Sequence, residues 1–236
     1  MKPALVVALG ALVACGAPAR DAGRAPGDTQ RVAPADSAAR EPHVATPTAS
    51  DTLWLYAADP ARDAIPSDAT EAKLIARFGA SNVRRDTIPL GEGEFVNGTV
   101  LFPDDDRRRL QITWRDTVAR AVPATENVAD SPSLWTVAPG IRMGTSLAEL
   151  EALNGKPFTL LGFGWDYAGT VSSWEGGRLD SLIGPGRGRM RVIVRLYPDS
   201  AYEALIGQVQ GDHVFPSSHP AMRAMNPRVY ALTLAP

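Results

Sequence analysis

Across residues 51–236 the apolar positions switch between two spacings, and the switch occurs once in each half. Leu74, Ile75 and Phe78 share one face at helical spacing, with Lys73 and Arg77 turned away. Asp68 and Glu71 ahead of them fit a capping box, and Gly79 supplies a stop, so a short helix is predicted there. Such a helix is too short to stand alone and must dock its stripe on strands. Thr99–Phe102 is β-prone and runs into the turn signal Pro103-Asp104-Asp105-Asp106. Leu110–Arg115 then alternates, placing Leu110, Ile112 and Trp114 on one face of an antiparallel hairpin.

The second half repeats this plan. Ser146 and Glu149 form a Ser-x-x-Glu capping box, with Thr145 as the other candidate cap. Leu147, Leu150 and Leu153 make the buried stripe, and Asn154-Gly155 followed by Pro157 ends the helix. Phe158–Phe163 is extended, Thr170–Trp174 is a strand, and Glu175-Gly176-Gly177-Arg178 is a tight turn. Arg191–Tyr197 and Val229–Leu234 are the strongest later strands. The predicted fold class is α+β in two tandem units, 51–130 and 131–236, each a short helix on a small antiparallel sheet. The alternative is one mixed α+β domain with two similar helices.

Gly140-Ile141-Arg142-Met143-Gly144-Thr145-Ser146, the helix after it, and Leu153-Asn154-Gly155-Lys156-Pro157 resemble a family opening. It is that of the small outer-membrane assembly lipoproteins (SmpA/OmlA type) and of the secreted β-lactamase-inhibitor proteins. The resemblance covers about 20 residues of the second unit, and the first unit lacks the Gly-x-x-x-Gly lead-in. It implies a helical opening laid against a small antiparallel sheet, duplicated in the inhibitors.

Residues 1–14 read as a signal peptide: Lys2 gives a positive start, and Ala4–Ala14 is small or apolar throughout. That run is shorter than the ~20 residues a bilayer span needs. Leu12-Val13-Ala14-Cys15 resembles a bacterial lipobox, which implies that Cys15, the one cysteine of the chain, is lipidated. An ordinary secretory signal is the alternative. Gly16 stands where the family analogy places an Asp for inner-membrane retention, so the expected address is the periplasmic face of the outer membrane, held through acyl chains such as palmitate. Residues 15–50 carry the lipidated cysteine and an Ala/Pro-rich tether with almost no large apolar residue, predicted to be disordered. A flexible chain of that length spans roughly 30–35 Å.

Composition narrows the classes further. The formal net charge of −2 comes from mixed signs without blocks, unlike the basic footprint of a nucleic-acid binder. The acidic-basic run Asp104–Arg109 lacks the spaced oxygens and glycine of a calcium loop and reads as a solvated hairpin tip. Gly184–Arg189 precedes a strand rather than a helix and so does not fit a phosphate cradle. His213 and His219, with Asp212, fall short of zinc-ligand spacing. No serine sits in a nucleophile-elbow pattern, so the chain is expected to be no enzyme and to use no cofactor or metal.

The most distinctive stretch is Gly162–Gly169, a glycine-flanked loop holding Trp165, Asp166 and Tyr167. Two aromatics on such a loop make a rigid amphipathic surface at low entropy cost. Alternatively, Trp165 folds back as a core plug and Asp166 bonds its own loop. With Trp174, these residues are the candidate binding site. The expected function is a non-catalytic, lipid-anchored envelope protein that binds a protein partner or acts as a scaffold. The alternatives are an envelope glycan-binding module and a hydrolase inhibitor.

Overall fold

The computed structural model describes residues 53–91, 93–183 and 191–235. Cys15, the signal and tether segments, and the Gly184–Arg189 run lie outside the described residues. The first half contains β1 (Leu53–Tyr56), α1 (Glu71–Phe78), β2 (Val83–Gly91), β3 (Glu94–Leu101), β4 (Leu110–Asp116) and β5 (Ala121–Val128). Then follow β6 (Trp135–Val137), β7 (Ile141–Arg142), α2 (Leu147–Asn154), β8 (Thr159–Leu161), β9 (Val171–Ser173) and α3 (Arg178–Ile183). The chain closes with β10 (Arg191–Tyr197), α4 (Glu203–Ile206), β11 (Val214–Pro216), α5 (Pro220–Met225) and β12 (Arg228–Ala235). The fold is α+β, dominated by sheet.

The main sheet has six strands in the order β10-β12-β5-β4-β3-β2, all antiparallel, and two three-stranded sheets, β1-β6-β7 and β11-β8-β9, accompany it. β12 and β5 pair through Leu232–Val128, Thr233–Asn127 and Leu234–Glu126, so one ladder crosses from the first half of the chain to the second. Alternation sorts the two faces of this sheet. Val192, Val194, Leu196, Leu232, Leu234, Val128, Leu110, Ile112 and Leu101 are buried on the core side. On the opposite face Thr233 donates to Asn127 Oδ1 at 2.7 Å, and Asn127 Nδ2 donates to Gln111 Oε1 at 3.3 Å. Among the described residues, no helix is long and apolar enough to cross a membrane.

α1 and α2 both form by local capping, but not in the same way. At α2, Ser146 accepts from the Glu149 amide while Glu149 Oε2 accepts from the Ser146 amide at 2.7 Å, completing the expected box, and Gly155 ends the helix in the left-handed region. At α1, the cap is Thr70, whose hydroxyl accepts from the Lys73 amide at 3.2 Å, and not Asp68. Asp68 instead pairs with Lys73. Glu71 is drawn away by cations brought from elsewhere in the chain. Arg85 donates to it through Nε and Nη2, at 2.9 and 2.7 Å to Oε1, and Arg120 lies 3.2 Å from Oε2. Thr99 donates to Oε2 at 3.0 Å, and the Trp114 indole donates to Thr99 at 2.9 Å.

The two caps sit alike on the sheet. Thr70 bridges Ala121 at the start of β5, and Ser146 bridges Arg228 at the start of β12. The run after Glu175 is a turn, as expected, but it leads directly into α3, which the sequence reading lacked. Asn154 holds that junction: its Nδ2 donates to the Lys156 and Trp174 carbonyls, and its Oδ1 accepts from the Leu179 amide.

Candidate functional site

Residues 162–170 form a loop pinned on both sides by backbone hydrogen bonds. Gly162 and Phe163 donate to the His213 and Val209 carbonyls, and Gly211 returns a bond to the Phe163 carbonyl, each at 2.9 Å. On the other side Leu196 of β10 donates to the Gly169 carbonyl at 3.0 Å, and Thr170 bridges Arg195. β10 is an edge strand, so the loop partly covers its open side. Phe163 anchors the loop in the core with no exposure.

This pinning decides where the predicted site residues go. Trp165 is half-buried against the core, and its indole donates to the Gly162 carbonyl of its own loop at 3.1 Å. Asp166 is exposed at the loop tip. Tyr167 is 48% exposed and meets Trp165 edge to face, with centroids 5.4 Å apart and planes at 67°. Trp174 is not a surface aromatic: it is 5% exposed and packs on Phe158 at 5.1 Å, with its backbone carbonyl held by Asn154 Nδ2. The aromatic plug and the aromatic surface thus occur together, with Trp165 inside and Tyr167 outside.

The exposed side of the adjoining strands continues the aromatic surface. Tyr197 of β10 and Tyr230 of β12 are 44% and 36% exposed and meet edge to face at 5.9 Å. Tyr197 also rests its ring on Phe163, at 5.7 Å, and the Tyr230 hydroxyl donates to the Ala168 carbonyl at 3.4 Å. The Arg195 guanidinium lies 5.6 Å from the centre of the Tyr167 ring, within cation–π range. Tyr167, Arg195, Tyr197 and Tyr230 are therefore one fixed cluster. Only Tyr167 was a sequence candidate. The available signal for the others was alternation: buried Val192, Val194 and Leu196 leave Arg195 and Tyr197 on the opposite face.

Beside the cluster is a cleft of about 300 Å³, lined by Tyr167, Ser172, Trp174, Asp180, Arg191 and Arg195 among others. A smaller cavity of about 210 Å³ lies between Tyr56, Asp63 and Glu126, the last buried on the core side of β5. The acidic-basic turn is self-paired, with Arg108 on Asp105 and Arg109 on Asp106, both at 2.6 Å. His219 is spent on capping α5, its Nδ1 accepting from the Ala221 amide at 3.2 Å. Among the described residues, no three His, Cys, Asp or Glu side chains group as metal ligands.

Comparison of the chain with protein-family models, with curated proteins and with solved structures finds no match in any of the three.

Proposed function

We propose that the chain is a non-catalytic, lipid-anchored envelope protein that docks a protein partner at the periplasmic face of the outer membrane. The single observation that carries the docking is the fixed cluster of Tyr167, Arg195, Tyr197 and Tyr230. Tyrosine and arginine dominate the energetic centres of protein interfaces, and these are already ordered before any partner arrives. The anchor rests on the lipobox-like Leu12–Cys15 and the tether on residues 15–50. Glycan stacking needs coplanar, open rings, whereas Trp165 and Tyr167 stand at 67° and Trp174 is buried. Plugging a hydrolase cleft needs a protruding Trp165, which is instead tucked against the core.

We also read the two halves as related units of the kind the resemblance to the SmpA/OmlA and inhibitor families implies. The support is the like seating of the two caps, Thr70 on the start of β5 and Ser146 on the start of β12.

The test is photocrosslinking in intact cells, with a photoreactive residue at Tyr197 or Tyr230, or at Val118 on the far β4–β5 turn, 89% exposed. A discrete protein adduct from the tyrosine positions and none from Val118 is expected. No adduct, or the same adducts from all three, would refute the docking surface.

A further inference from the structure

We propose that the cleft between β9, α3 and β10 receives a carboxylate side chain of an acidic segment on the docked protein, with Arg195 as its principal cation. The proposal rests on the docking reading above and deepens it.

Arg195 is half-buried and lines the cleft, and its Nε is shut from solvent without a hydrogen-bond partner. Among the described residues, no carboxylate lies within ion-pair distance of it. Buried polar groups are almost always satisfied, and a half-buried cation without a counter-charge is unusual. The side chain is nevertheless held in place. Tyr167 covers its guanidinium at 5.6 Å, and Thr170 bridges its backbone. A planar, pre-positioned fork is the group best suited to a carboxylate.

The remaining lining sets the ligand's charge and size. Arg191 lies two strand repeats from Arg195 and lines the same cleft. Asp180 also lines it, and part of its carboxylate is engaged by the Gly176 amide at 3.0 Å. Among the described lining residues, two guanidiniums and one carboxylate leave one net positive charge. That matches a monoanionic carboxylate better than a dianionic phosphate. A volume of about 300 Å³ takes a side chain, not an oligosaccharide. The cleft shares Tyr167 and Arg195 with the aromatic cluster, so an acidic side chain entering it lies beside the docked surface.

The test is a titration of the full chain in detergent micelles, following the Nε–H resonance of Arg195 by NMR. The probes are hexaglutamate, hexaglutamine and inorganic phosphate. Hexaglutamate is expected to shift that resonance saturably, hexaglutamine to leave it in place, and phosphate to bind at least about tenfold more weakly. Arg195→Gln should weaken hexaglutamate at least about tenfold, while Arg195→Lys keeps part of the binding, both with the wild-type melting temperature. Equal shifts from hexaglutamine, tighter binding of phosphate, or no shift with hexaglutamate at millimolar concentration would overturn the proposal. The wild-type titration stands even if a variant fails to fold. Hexaglutamate binding with no crosslinked protein at Tyr197 would remove the docking reading and leave an anion site. Crosslinking without hexaglutamate binding would do the reverse.

Discussion

The Gly169 carbonyl accepts from the Leu196 amide at 3.0 Å, and the two backbones approach so closely that a Cβ on Gly169 would overlap the Leu196 carbonyl. Gly169 also sits at φ +65°, where a side chain is disfavoured by roughly 1–2 kcal/mol. This contact seats the whole 162–170 loop on β10. Gly169→Ala is therefore expected to cost more than ~2 kcal/mol, combining that strain with the overlap. Denaturant unfolding measures the loss, and crosslinking at Tyr230, whose hydroxyl bonds the Ala168 carbonyl of this loop, should fall with it.

Glu71 ties α1 to β2, β3 and the β4–β5 turn. Burial pushes its carboxyl pKa up, but hydrogen bonds from Arg85 and Thr99 and the charges of Arg85 and Arg120 outweigh this and hold it below the usual value. A depressed folded-state pKa means stability that is present above the unfolded value, about 4.3, and lost as the pH falls through the folded one. Glu71→Gln should cost about 2–3 kcal/mol at pH 7, less than a fully buried pair because Arg85 is mostly solvated. Its deficit against wild type should shrink below about pH 4, as the wild-type carboxylate is itself protonated. Urea midpoints across pH 3–7 check this.

Asn154 is 1% exposed, and both ends of its amide are used, toward the Lys156 and Trp174 carbonyls and the Leu179 amide. Asn154→Asp turns a double donor into an acceptor facing two carbonyls. The expected loss is about 2–4 kcal/mol, read from thermal unfolding. The loss should be smaller at acid pH, where a protonated aspartate regains one donor.

These three positions show what local chemistry reveals. The ends of α2 were readable because each is set within one turn: Ser146 and Glu149 bond each other at the start, and Gly155 bonds the Glu151 carbonyl at the stop. The same logic misplaced the α1 cap at Asp68, because Glu71 answers to Arg85 and Arg120, far along the chain. β5 has no clear strand pattern in sequence because Pro123 interrupts it, and the ladder absorbs the proline with a register shift opposite Thr113 and Trp114. The pairing of β5 with β12 has no local signature at all. At the site, the glycines and aromatics of 162–169 are distinctive in sequence, but the split between half-buried Trp165 and exposed Tyr167 depends on how the loop is pinned along β10. Tyr197 and Tyr230 read only as strand residues until the two strands were placed side by side.

The proposed lipid anchor at Cys15 carries a prediction of its own. Cells fed labelled palmitate should incorporate the label into the wild-type chain, and Cys15→Ser should abolish it. Label retained in Cys15→Ser would place the acyl group elsewhere.

Docking of a protein on the tyrosine cluster is directly measurable. The most direct measurement is capture by the full-length chain from solubilised envelope proteins, comparing wild type, the Tyr197→Ala/Tyr230→Ala double variant and Val118→Ser. One protein is expected to be retained by wild type and by Val118→Ser, and at least about tenfold less of it by the double variant, at unchanged melting temperature. Equal capture by the double variant would mean that these tyrosines do not form the docking surface.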